Sequence, residues 1–123
     1  MTKEAVNHML GYTVGHIGIN CENSEEAMQT AKVLCALFGL DYKPGNKSDY
    51  VGDAVELMKE PYLGSKGHIG FATNFIERAM YQLARQGVTF NDSTIRYDAK
   101  GKLRAIYLNG EYSGFAIHLM QKP

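Results

Sequence analysis

The chain has 123 residues, 45% of them hydrophobic and 21% charged, with a formal net charge of zero. That length suits one compact domain with its own core, spanning 1–123, and the composition is that of a globular chain rather than a disordered one. Balanced charge argues against nucleic acid or an anionic membrane as the main partner, because both need clustered Lys and Arg, and no apolar run approaches the roughly 20 residues that span a bilayer.

The opening stretch MTKEAVNHMLGYTVG mixes polar and apolar residues and does not read as a signal peptide. Residues 1–11 are read as a leader. Cys21 and Cys35 are then expected to be reduced thiols in a cytoplasmic protein. From Gly15 the chain begins to repeat itself: GHIG occurs at Gly15–Gly18 and again at Gly67–Gly70, 52 residues on, and each copy is followed at the same distance by Ala-Met. Two copies at so long a period point to a duplicated half-domain rather than a solenoid. Module one is read as about 12–60 and module two as about 64–121.

Each copy opens on an alternating strand. Ile17 and Ile19 oppose His16, Gly18 and Asn20, and Ile69 and Phe71 oppose His68, Gly70 and Ala72. A helix follows in each half. Asn23 with Glu26 has capping-box spacing, the stripe Ala27, Ala31, Leu34, Cys35, Phe38 is helical, and Gly39 ends it. The second helix is predicted from about Asn74, with Glu77 three residues on, to Gly87, about a turn shorter. Short strands come next: about Leu40–Lys43, Tyr50–Val51 and Ala54–Lys59 in the first half, about Val88–Asn91, Leu103–Leu108 and Gly114–Met120 in the second. Asn109-Gly110 is the hairpin signal between the last two. The pattern is α+β, two βαβββ modules, and each helix can cover only one face of its half-sheet.

Four titratable residues stand centrally on otherwise apolar strands: His16, Glu56, His68 and His118. Strand alternation puts all four on the face away from the helices. Their companions there are small or soft: Gly18, Gly70, Ala72, Ala116, Met58 and Met120. A carboxylate in such surroundings is costly unless paired or bound to a metal. Three imidazoles and one carboxylate suit a divalent transition metal with positions left open for water or substrate. The competing reading is four unrelated polar residues on a solvated sheet face, which their matched places in the repeat make the weaker one. Lys59, Lys66 and Arg104 are the cations available to attract an anionic substrate at a cavity mouth, though nothing in the sequence sets them apart from ordinary surface charges.

Taken together, GHIG…GHIG with VEL and AIHL on the last strand of each half resembles the vicinal oxygen chelate superfamily, which includes glyoxalase I, methylmalonyl-CoA epimerase, extradiol dioxygenases and bleomycin-resistance proteins. The resemblance implies an incomplete, U-shaped barrel around a divalent ion (Ni, Co, Mn, Fe or Zn), held by His16 and Glu56 from module one and His68 and His118 from module two. It also implies a homodimer. Where glyoxalase-type and epimerase-type members usually carry a carboxylate, this chain has His118, so Glu56 is the one carboxylate left to move a proton. A narrower resemblance joins PYLGSKGHIG, ERAMYQLARQGV and LNGEYSGFAIHLMQ to the carboxy-terminal extension of some bacterial 2-keto-4-hydroxyglutarate / 2-keto-3-deoxy-6-phosphogluconate aldolases, which makes a sugar-acid aldolase a candidate partner. A chain this short cannot itself be their (β/α)8 barrel.

Three functions follow as alternatives. The first is a metal-dependent isomerase, epimerase or lyase acting on a small oxo or hydroxy acid, with Glu56 shuttling the proton. The second is a metabolite-binding module that accompanies an aldolase without turning anything over. The third is a metal-free sequestering protein of the bleomycin-binding type.

Overall fold

The computed structural model describes residues 2–123. In chain order the elements are helix α1 (Lys3–Leu10), strand β1 (Thr13–Asn20), helix α2 (Ser24–Phe38), strands β2 (Tyr42–Lys43), β3 (Ser48–Val51), β4 (Val55–Met58) and β5 (Gly67–Thr73), helix α3 (Ile76–Arg85), and strands β6 (Phe90–Tyr97), β7 (Leu103–Leu108) and β8 (Phe115–Gln121). All eight strands form one open mixed sheet in the order β2-β3-β4-β1-β5-β8-β7-β6. The order is symmetric about the β1–β5 junction, and each half is βαβββ. In each half the first strand runs parallel to the last, β1 with β4 and β5 with β8, while β1 and β5 pair antiparallel and join the halves.

Each helix covers the outer side of its own half-sheet. Under α2, Ala27, Ala31 and Cys35 pack with Cys21, Val51 and Leu57; under α3, Ile76 and Ala79 pack with Ile106, Leu108 and Leu119. Each fully buried Leu or Ile contributes roughly 1.5–3 kcal/mol by leaving water. Asn23 caps α2 as expected, its Oδ1 accepting from Glu26 N at 2.8 Å, and Gly39 ends the helix in the left-handed region.

Several expectations are corrected. Phe38, expected on the buried stripe, is 70% exposed, because α2 ends beyond the edge of its core. Asn74 does not cap α3: its side chain donates to Met9 O, and the first helical N–H, on Ile76, is satisfied by Gln121 Oε1 at 2.8 Å. A partner from β8 thus replaces the local cap. The tight turn before β8 is at Ser113-Gly114, both at positive φ, with Tyr112 and Phe115 exchanging backbone hydrogen bonds. Asn109 instead donates to Thr89 Oγ1 and Phe90 O, and fastens the start of β6. Strand β6 itself runs to Tyr97, six residues past the expected end. Ile17 and Ile19 lie on the helix side of the sheet, yet they are 39% and 38% exposed, since β1 sits between the two helices and neither reaches it.

The leader is part of the fold. Helix α1 packs on α3, Leu10 is fully buried in the second core, and its carbonyl accepts from Thr73 Oγ1 and Asn74 N. Leu10→Ala is expected to cost about 2–5 kcal/mol of stability, read as a lowered urea midpoint with an unchanged slope; a midpoint within error of the parent would place α1 outside the cooperative unit.

Candidate metal centre

The antiparallel pairing of β1 with β5 decides how the two GHIG copies meet. His16 stands opposite Gly70, and Gly18 opposite His68. Each imidazole therefore lies over the glycine of the other copy. A Cβ on Gly18 would come within 2.0 Å of the His68 ring, and one on Gly70 within 2.5 Å of the His16 ring. The glycines supply the space in which the two rings lean together, His16 Nε2 to His68 Nε2 at 3.0 Å.

Lateral registers extend this into two equivalent rows. One runs Tyr50–Glu56–Gly18–His68 across β3, β4, β1 and β5; the other runs Tyr107–His118–Gly70–His16 across β7, β8, β5 and β1. The repeat thus pairs four positions, and only one pair differs chemically, Glu56 against His118. Within a single chain, His16, His68 and His118 place ring nitrogens within 4.8 Å of one another. Glu56 Oε1 lies 3.2 Å from His68 Nε2 and 3.9 Å from His16 Nε2.

Supporting groups hold these side chains. Ser48 Oγ donates to Glu56 Oε2 at 2.6 Å, leaving Oε1 for the histidines. The Tyr107 ring stacks flat on His118, 4.1 Å between centroids and 3° between planes. Tyr62 meets Tyr107 edge-on, and its loop is fixed by Asn20, which donates to Gly64 O at 2.8 Å and accepts from Tyr62 N at 3.2 Å. The three histidines, Glu56, Tyr62 and Tyr107 line a cleft of about 450 Å³ that also includes Lys47, Tyr50, Asp53, Thr94 and Arg96, with Ser48 and Asn20 bracing it from behind that lining. Of these, Ser48, Tyr50, Tyr62, Thr94, Arg96 and Tyr107 escaped the sequence reading. The signal for Tyr107 was present, since it shares the parity of His118 across an antiparallel pair; the two tyrosine positions align only once the registers are known. The three cations expected at a cavity mouth line no part of this cleft. Lys59 bonds Gly45 O and faces Asp49, Lys66 lays its stem over Gly114, and Arg104 donates to Gln121 O.

The electrostatics favour unprotonated donors. Burial pushes the Glu56 carboxyl up, but hydrogen bonds from His68, Ser48 and Tyr50 and the attraction of His68 outweigh it and hold the group at about 2. Burial, then repulsion from His16, His68 and Arg96, lowers His118 to about 3. Burial and His68 also lower His16. Nδ1 of His68 and of His118 is buried with no hydrogen-bond partner, while His68 faces His16 and Glu56 through Nε2. Donors about 2.1 Å from a common ion lie about 3.0 Å apart at right angles and about 3.4 Å apart in a tetrahedron. The closest separations here, 3.0 and 3.2 Å, match that spacing, so the donor set and its geometry fit a divalent transition metal.

No protein-family model and no curated protein matches the chain. Solved structures do. A hypothetical protein from Bacillus halodurans superposes with a TM-score of 0.60 at 16% identity, covering 91% of this chain and 95% of that one. Streptomyces coelicolor methylmalonyl-CoA epimerase in complex with 2-nitronate-propionyl-CoA gives 0.59 at 16% identity, covering 89% and 96%. Methylmalonyl-CoA epimerase in complex with methylmalonyl-CoA and NH4+ gives 0.59 at 16% identity, covering 89% and 93%. The fold is glyoxalase-like. That likeness concerns the glyoxalase-like architecture alone, and the aldolase-extension resemblance finds no support among these matches. Among the described residues, no helix is long and apolar enough to cross a membrane.

The shifted groups fix the sign of an acid effect. In the unfolded chain His118 takes up a proton near 6.5, in the folded chain only near 3. Between those values the unfolded state holds the extra proton, so stability falls as pH drops from 6.5 towards 3. Glu56 adds a further loss as pH falls from 4.5 towards 2. In chelator-treated protein the urea midpoint is expected to decline steadily below pH 6.5, and His118→Phe, which keeps a ring against Tyr107, should flatten the decline between pH 6.5 and 4.5. Parallel declines in parent and variant would remove His118 as the source.

Proposed function

We propose that the cleft holds a divalent transition metal through His16, Glu56, His68 and His118 and serves an isomerase, epimerase or lyase reaction on a small oxo or hydroxy acid. The observation that carries this reading is the meeting of three imidazoles, their ring nitrogens within 4.8 Å of one another, with the ionised Glu56 carboxylate 3.2 Å from His68. The neighbouring methylmalonyl-CoA epimerases, one of them with methylmalonyl-CoA, favour proton transfer next to a carbonyl over other chemistry of the fold. When bound, the ion would supply Lewis acidity toward two adjacent substrate oxygens, making the neighbouring C–H more acidic.

The remaining work falls to the chain. His118, half-buried and stacked on Tyr107, stays neutral and fixed in direction. The two glycines keep His16 and His68 leaning into the cleft. Glu56 is the proton acceptor in this reading. Hydrogen bonds from His68 and Ser48 keep its basicity low; released from the donor set it would regain that of an ordinary carboxylate, with Ser48 tethering it meanwhile. Tyr62 and Tyr107 form one wall of the cleft. A homodimer belongs to the same proposal. The uncovered outer face of β1, with Val14 60% exposed beside Ile17 and Ile19, supports it, being an apolar strip that a second copy would bury.

Metal analysis of protein purified without a polyhistidine tag is expected to give about one divalent ion per chain or to show uptake of Ni, Co, Mn or Zn. His68→Ala should abolish binding with the circular dichroism spectrum retained. Gly18→Ala, which drives a methyl group into the His68 ring, should weaken metal binding at least tenfold. Full stoichiometric metal in His68→Ala would overturn the assignment. With metal bound, solvent deuterium should enter the carbon next to the carbonyl of an accepted acid, and Glu56→Gln should slow that exchange by about 100-fold or more; exchange at the parent rate would remove Glu56 as the base.

A further inference from the structure

Strand β6 departs from regular pairing where it passes the cleft. Asn91 stands opposite Tyr107 and Arg96 opposite Ala105, so five residues of β6 span two of β7. The excursion is stitched at several points. Asn91 Oδ1 accepts from Ser93 N and Oγ, Thr94 Oγ1 donates to Asn91 O at 2.6 Å, and the same hydroxyl accepts from Tyr107 N at 2.9 Å. Bulges of this kind re-aim a side chain beside a binding site. Here Ile95 goes to the core under α3, while Arg96, opposite Ala105 and so on the face of Tyr107, enters the cleft wall.

The guanidinium there has no counter-charge. Among the described residues Arg96 makes no ion pair or hydrogen bond, and the two carboxylates that line the cleft are already engaged, Glu56 with His68 and Ser48, Asp53 with Lys43. Arg96 shares the lining of the cleft with Tyr107 and His118 from its own half and with Tyr50 from the other. Lys47 also lines the cleft and, among the described residues, has no ion-pair partner. An arginine fork presented without a partner at the mouth of a cleft is a receptor for a planar anion.

We propose that Arg96 is the specificity-determining residue of this cleft and that it holds a carboxylate of the substrate, with the rest of the molecule lying over Tyr107 toward the histidine cluster. The ligand class is a small carboxylic acid, of a size that about 450 Å³ admits. This rests on the proposed use of the same cleft, but not on the metal. The test is titration of the full chain, metal-loaded and metal-free, with pyruvate, malonate and 2-oxoglutarate and with the corresponding neutral amides, followed by changes in the backbone amide NMR spectrum; metal content is measured separately in each sample. At least one acid is expected to bind and to outcompete its amide tenfold or more. Arg96→Gln should lose at least tenfold in acid affinity, leave amide affinity and metal content unchanged, and keep its spectrum; Arg96→Lys should recover part of the loss. Acid binding unchanged in Arg96→Gln, or no binding of any acid to the parent, would overturn the proposal. Arg96-dependent acid binding by protein that takes up no metal would sink the metal assignment and leave this one standing.

Discussion

The exchange of histidine and glycine across the β1–β5 junction is the constraint on which the site depends. A ring on one strand needs an empty place on the strand beside it, and the antiparallel register provides one in each direction, His16 over Gly70 and His68 over Gly18. That is the reason the tetrapeptide occurs twice. A single GHIG strand would have a histidine and a vacancy two residues apart with nothing to fill it; two copies paired head to tail fill each other. Any side chain at Gly18 or Gly70 would close the space the rings occupy.

From that junction the two modules build outward with the same plan and one chemical difference. The last strand of each half contributes a donor, and the strand beyond it contributes a tyrosine. In module one the donor is Glu56, kept ionised by His68, Ser48 and Tyr50. In module two it is His118, kept neutral by burial and held flat against Tyr107. The same position in the repeat is thus stabilised by hydrogen bonds to a charge in one half and by ring stacking in the other. The result is a mixed set of nitrogen and oxygen donors in a cleft whose one unpaired arginine, among the described residues, stands on the strand at its far side. Structural stability is given up locally here, because two of the imidazoles that meet in the cleft, His68 and His118, each bury an Nδ1 without a hydrogen-bond partner.

The sequence by itself determined the duplication, the βαβββ order in each half, the helix α2 with its caps, and the common face of His16, Glu56, His68 and His118. All of these follow from short-range periodicity: alternation every second residue assigns a strand face, and a repeat assigns a second copy of it. The Glu56–His118 equivalence was visible in the same way, from VEL and AIHL closing their modules. Only the tertiary structure decided which residues meet across strands. It set the register that seats each histidine on a glycine, the pairing of Tyr50 with Glu56 and of Tyr107 with His118, the cap of α3 by Gln121 instead of Asn74, the turn at Ser113-Gly114 instead of Asn109-Gly110, and the exposure of Ile17 and Ile19 between helices that do not reach them. Arg96 belongs to this second group, since a bulge breaks the alternation from which its face would have been read. Local periodicity tells which way a side chain points along its own strand, whereas what it points at is fixed by inter-strand registers set by contacts tens of residues apart in the chain.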